Sequence, residues 1–218
     1  MNHRAVIFDM DGVICHTNPY HAEAFRQFFD KRSIPYTEQE FVDHMYGKHN
    51  SYIMKYFLKR ELSDEEVSVL EDEKELLFRM IYADHIDPIP GFLAFLSNLK
   101  STGYKTGVAT SAPYLNLELI LNKLAFAPQM ESILSSEDVK LHKPNPEVYL
   151  KSAENLQVPP AHCLVFEDSF SGVTAAINAG MKVVGVLSSH SKEELPPCDH
   201  YIRDYYDIDV DTVDRLLA

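Results

Sequence analysis

Short runs rich in β-branched residues occupy the chain from Met1 to about Cys15 and again from about Ile89 onward: RAVIF, KTGVAT, ESILSS, CLVFED and KVVGVL. Between them the apolar positions move to helical spacing and predict helices near Gly91–Lys100, Tyr114–Leu124, Pro146–Asn155 and Ser169–Ala179. Strand alternating with helix is the pattern of a doubly wound parallel sheet with helices on its faces, an α/β fold. The interval 18–87 reads differently, with no convincing strand and with helix starts TEQE from Thr37 and SDEE from Ser63 that match the capping box. After Ser63 the apolar residues Val67, Leu70, Leu76, Leu77, Met80 and Ile81 recur at roughly helical spacing. The expectation is a smaller all-helical domain at 18–87, inserted into an α/β core made of 1–17 and 88–218. Its hinges fall at His16 to Pro19 and at Asp87 to Gly91, where PIPG prevents a helix from continuing.

The strand ends carry the candidate chemistry. Asp9 ends RAVIF, Thr110 ends KTGVAT and Asp168 ends CLVFED, so three polar residues fall at the carboxyl ends of three strands, the edge where open parallel sheets bind ligands. An acidic pair such as Asp9 and Asp11 after a strand also suits a turn or a helix cap. Gathering Asp9, Asp11 and Asp168 in one crevice, however, is tolerable when a cation sits among them, and a hard divalent ion with oxygen ligands, Mg2+ first, suits that set.

Charge and composition narrow the partners. Hydrophobic residues at 45% and charged residues at 24% are ordinary for a globular protein. A formal net charge of -13 argues against nonspecific affinity for nucleic acid or an anionic membrane. An acidic protein that handles an anionic substrate needs local positive charge, which a bound cation supplies. Cys15, Cys163 and Cys198 are odd in number and match no metal spacing; they read as reduced thiols of a cytoplasmic protein, with Cys163 in the core. MNHRAVIF has no basic and apolar leader, and no stretch is apolar enough to span a bilayer. A monomer is the default.

Four ordered motifs, FDMDGV at 8–13, VATSAP at 108–113, HKPNPEVY at 142–149 and VFEDSFSG at 165–172, resemble the haloacid dehalogenase superfamily, in its branch of β-phosphoglucomutase and small-molecule phosphatases. The resemblance runs over essentially the whole chain, the helical insert corresponding to that branch's cap. It implies that Asp9 is the nucleophile forming an aspartyl-phosphate and Asp11 the general acid and base. Thr110, with nearby backbone N–H groups and with Ser111 beside it, would hold the phosphoryl oxygens, and Lys143 would neutralise charge. Asp9, the backbone carbonyl of Asp11 and Asp168 would bind Mg2+, with Glu167 acting directly or through a water. Gly12 would let the backbone approach the phosphate. His21 in the cap, after a Thr matching Thr17 at the substrate side, would steady the general acid, and the cap loop with Tyr46, Gly47 and Lys48 would meet the substrate.

Asp11 disfavours dehalogenation, since dehalogenases of the superfamily lack this second aspartate, and it disfavours phosphonate cleavage for the same reason. The remaining choice lies between phosphatase and mutase. A mutase must grip a second phosphate; at the corresponding positions this chain has Pro113, Tyr114 and Asn50, and Tyr46 replaces the mutase's cap lysine. The reading is a Mg2+-dependent phosphatase of a small phosphorylated metabolite. A β-phosphoglucomutase-like mutase is the alternative, and a catalytically silent binding protein on the same fold ranks third.

Overall fold

The computed structural model of the chain describes residues 4–45 and 50–218. The chain divides into two compact units, 1–16 with 86–218, and 17–85.

The first unit is built on a parallel sheet. Its strands are β1 (Ala5–Phe8), β2 (Lys105–Ala109), β3 (Ser132–Leu134), β4 (Cys163–Glu167), β5 (Lys182–Val186) and β6 (His200–Ile202), in the order β3-β2-β1-β4-β5-β6. β1 lies in the middle, pairing Phe8 with Val108 of β2 and with Phe166 of β4. A strand covered on both faces must be apolar throughout, and all four residues of β1 are buried. Ala5 and Ile7 join Val165, Val148, Tyr149 and Val173 in a core on one face of the sheet. Phe8 stacks on Phe166 at 5.1 Å, meets Phe92 edge-on at 5.3 Å and lies 6.2 Å from Tyr205, which forms an aromatic core on the other face.

Helices α5 (Phe92–Ser101), α6 (Tyr114–Leu124), α7 (Glu147–Leu156) and α8 (Phe170–Asn178) follow the sequence reading closely, whereas the short β6 and the terminal α9 (Val210–Leu216) carry too few apolar residues to announce themselves. Cys163 is fully buried and belongs to the core, where burial raises its thiol to about 12; none of the three cysteines is in a disulfide.

The second unit holds α1 (Asn18–Lys31), α2 (Glu38–Met45), α3 (Asn50–Leu58) and α4 (Asp64–Tyr82), with no strand among its described residues. Both expected capping boxes form. Ser63 Oγ accepts the Glu66 N–H at 3.2 Å while Glu66 accepts the Ser63 N–H at 3.0 Å, and Thr37 and Glu40 reciprocate in the same way. Phe25, Phe28, Phe29, Phe41 and Phe57 are the aromatic members of this unit's core.

The buried face of α4 departs from the expected one. Val67, Lys74, Glu75, Phe78 and Tyr82 are buried, while Leu76 and Met80 are 51% and 68% exposed. A charged pair on the inward face shifts the real stripe away from the one that the apolar residues alone suggest. No helix among the described residues is long and apolar enough to cross a membrane.

Candidate active site

The register of the sheet places the motif residues side by side. β1 ends at Phe8, β2 at Ala109 and β4 at Glu167, so the next residues, Asp9, Thr110 and Asp168, emerge at one edge of three adjacent strands. All three are buried, as are Lys143 and Glu167.

Lys143 is the hub of this edge. Its ammonium donates to Asp9 Oδ1 at 2.6 Å, to Glu167 Oε1 at 2.8 Å and to the Ala109 carbonyl at 3.1 Å, and it lies 4.8 Å from the centre of the Tyr149 ring. Burial by itself would lower the lysine's pKa; Asp9 and then Glu167 outweigh it and hold the group charged, well above its ordinary value. Glu167 also accepts the Tyr149 hydroxyl at 2.9 Å on Oε1, and on Oε2 the N–H groups of Asp168 and Ser169 at 2.9 and 3.0 Å and the Ser169 hydroxyl at 3.0 Å. Burial would raise this carboxyl, but Lys143 and these donors hold it below its ordinary value. Both Glu167 oxygens are therefore engaged by donors, so its visible task is to orient Lys143.

Asp9 and Asp168 are in the opposite condition. Burial first, then the nearby carboxylates Glu167 and Asp11, push Asp9 up to about 8 against the pull of Lys143. Burial, Glu167 and Asp9 likewise raise Asp168 well above the ordinary carboxylate range. No hydrogen bond reaches Asp9 Oδ2 or Asp168 Oδ1 among the described residues. Two buried carboxylates with oxygens in reserve, of which Lys143 bonds Asp9 and not Asp168, form an under-neutralised site, and a hard divalent cation with oxygen ligands fits it. Among the described residues no three His, Cys, Asp or Glu side chains gather as a ready-made cluster. A cation here would take Asp9 and Asp168 side chains and fill its shell with oxygens of the backbone, the substrate or water, as Mg2+ characteristically does.

The remaining motif residues line the same edge. Thr110 donates its N–H to the Leu134 carbonyl at 3.0 Å, and its Oγ1 accepts the Ala112 N–H at 3.0 Å, which fixes the turn leaving β2; Ser111 is exposed beside it. The loop after β1 closes through Gly12 N–H to the Cys15 carbonyl at 2.8 Å, with Asp11 and Cys15 in a bridge. Gly12 has φ +72, and a Cβ there would stand 1.9 Å from Asp168 Oδ2, so both conformation and space demand glycine.

Thr17 and His21 belong to the helical unit. His21 on α1 places Nδ1 2.7 Å from Lys74 Nζ and stacks on Phe78 at 3.7 Å. Lys74 in turn donates to Glu75 Oε1 at 2.8 Å, which also accepts Asn50 Nδ2 at 2.8 Å. Tyr46, Gly47 and Lys48 lie outside the described residues.

Sequence reading assigned no role to Tyr149, although it stands in the third motif, nor to Ser188, Ser189 and His190. These three follow β5 at the same sheet edge, and that position was the available signal.

The haloacid dehalogenase-like hydrolase family model matches residues 6–186. The chain is 33% identical to a phosphorylated carbohydrates phosphatase of Thermotoga maritima over 85% of this chain and 86% of the relative. It is 30% identical to a β-phosphoglucomutase of Bacillus subtilis over 84% of this chain and 83% of the relative. The crystal structure of a HAD hydrolase, family IA, variant 3, from Entamoeba histolytica superposes with a TM-score of 0.92 at 27% identity, covering 98% of this chain and 99% of that one.

Proposed function

This chain belongs to the haloacid dehalogenase-like hydrolase family, and on that premise we propose that it is a Mg2+-dependent phosphatase that hydrolyses a small phosphate monoester through an aspartyl-phosphate on Asp9. The observation that carries the reading is the state of Asp9: one oxygen accepts Lys143 at 2.6 Å while no described donor engages the other, at the end of the central strand. A carboxylate that had only to cap a turn would accept a backbone N–H, as one oxygen of Asp138 and one of Asp209 do, whereas Asp9 accepts none from the described residues.

Asp9 attacks phosphorus, its oxygen forms the new P–O bond, and the ester P–O bond breaks as Asp11 delivers a proton to the departing oxygen. Asp11, now a carboxylate, takes a proton from the water that attacks the aspartyl-phosphate, and inorganic phosphate leaves with Asp9 restored. The Thr110 hydroxyl and the Ser111 N–H hold the phosphoryl oxygens, Gly12 lets the backbone come close, and Lys143, oriented by Glu167, offsets charge as the new bond forms. Asp9, the Asp11 carbonyl and Asp168 would hold Mg2+, which when bound would supply positive charge for a doubly negative ester.

The mutase alternative requires a grip on a second phosphate. Pro113 has no N–H, the Tyr114 N–H is donated to Glu137 at 3.1 Å, and Asn50 donates to Glu75 within the helical unit. Those commitments favour hydrolysis.

The test is a panel of phosphorylated metabolites assayed for free phosphate with Mg2+ and with excess chelator, using the natural chain and Asp9→Asn. Mg2+-dependent release by the natural chain, absent in Asp9→Asn, is expected; release by Asp9→Asn at a substantial fraction of the natural rate refutes the nucleophile.

A further inference from the structure

The loop after β5 carries Ser188, Ser189 and His190, none of which has a part in the chemistry above. All three side chains bond to the loops that follow β1 and β4. Ser188 Oγ donates to the Gly12 carbonyl and Ser189 Oγ donates to Asp168 Oδ2. His190 Nδ1 stands 2.9 Å from the Asp168 carbonyl oxygen, which can only accept, so this nitrogen carries the proton. The third loop thereby secures one carboxylate at its backbone and at its side chain, and secures the glycine packed against it.

The bond from Ser189 divides the work of Asp168 between its two oxygens. Oδ2 is engaged by the hydroxyl, while Oδ1 accepts nothing among the described residues. Ser189 itself is exposed and adds nothing to the core. A hydroxyl on an exposed loop, donated to a buried and under-neutralised carboxylate, sets the direction in which that carboxylate points.

We propose that Ser189 is a positioning residue for the cation, holding the Asp168 carboxylate by Oδ2 so that Oδ1 is presented to Mg2+. The inference rests on the Mg2+-dependent reading above. Without the hydroxyl, the carboxylate is free to rotate and the cation must order it on binding. Groups that orient metal ligands in this way change metal affinity when removed, even though they never touch the ion.

The experiment is calorimetric titration of Mg2+ into the full chain and into Ser189→Ala, Ser189→Thr and Ser189→Val, with Ser191→Ala as control. Threonine and valine share a shape and differ by the hydroxyl, and the exposed position has room for either. Ser191 caps its own turn by bonding Glu194 at 2.8 Å. The Kd for Mg2+ is expected to rise about 10-fold or more in Ser189→Ala and Ser189→Val, with Ser189→Thr and Ser191→Ala close to the natural chain. Thermal melts without Mg2+ should show a single cooperative transition for every member of the set, so that a change in Kd is read on folded protein. If the natural chain binds Mg2+ and the alanine and valine variants bind it equally well or more tightly, the role of Ser189 is refuted and the metal reading survives. If the natural chain shows no saturable Mg2+ binding, the metal reading fails and takes the role of Ser189 with it.

Discussion

Glu167 occupies the space that any side chain at residue 172 would need: a Cβ on Gly172 would stand 1.6 Å from Glu167 Oε1 and 1.9 Å from its Cδ. Helix α8 thus approaches β4 so closely that the carboxylate orienting Lys143 rests against its backbone. Gly172→Ala should drive Glu167 from its place and leave Lys143 and Tyr149 short of a partner. Disrupting a buried charge pair typically costs about 3 kcal/mol or more, which for a chain of this size is a fall in Tm of roughly 6 °C or more. A thermal melt followed by circular dichroism, with phosphatase turnover alongside, checks this; an unchanged Tm and rate would mean that Glu167 has another place to go.

Asp11 can be tested through the leaving group. Asp11→Asn should lower turnover of alkyl phosphates by ~10²-fold or more, because an amide cannot deliver the proton that the departing alkoxide needs. Aryl phosphates leave with little help and should lose much less. Equal losses for both classes of ester would remove Asp11 from the acid role.

The helical unit carries its own acid-sensitive tie. Glu73 on α4 accepts Lys31 at 2.7 Å and also Arg32, both at the end of α1. These hydrogen bonds, that of Arg32 foremost, bring the Glu73 carboxyl down from 4.5 to about 2. Since the folded pKa lies below the unfolded one, the contribution is complete above pH 4.5 and is lost as pH falls toward 2. With the side chain 28% exposed, solvent screening reduces the contribution to about 1 kcal/mol. Comparing the Tm of the natural chain and Glu73→Gln from pH 7 to pH 3 should show a gap that narrows below about pH 4.5; a constant gap would contradict the assignment.

The phosphatase and mutase readings separate on one substrate. β-Glucose 1-phosphate supplied with a bisphosphate primer should give free phosphate and no glucose 6-phosphate. Efficient isomerisation would reverse the ranking, whatever Pro113 and Asn50 suggest.

The sheet and the acidic edge were legible because parallel strands buried on both faces must be continuous apolar runs, and a polar residue that ends such a run stands out. RAVIF followed by Asp9 and CLVFE followed by Asp168 are of that kind. HYI, three residues long, gave β6 no comparable signal. The inward face of α4 was not legible for the opposite reason: Lys74 is buried at 1% exposure by pairing with Glu75 beside it and with His21 on α1, and such polar pairing leaves no apolar periodicity in the segment. Glu167 shows a further limit. Its sequence position beside Asp168 carries no sign of its bonds to Lys143 and Tyr149, which appear only in the fold. Ser189 shows the same limit, since a serine after a strand is among the commonest sights in a chain.

The strand order has a bearing on how the molecule is made. β1 is paired on one side with β2 and on the other with β4, whose residues are synthesised far later. Residues 17–85 form a compact unit from one continuous segment and are complete before β2 has been translated. On the ribosome, the helical unit can therefore close by itself while β1, the most apolar strand of the sheet, waits unpaired on both edges. Chaperone contact and aggregation during synthesis should concentrate on residues 5–8 in that interval and end when residues 163–167 emerge.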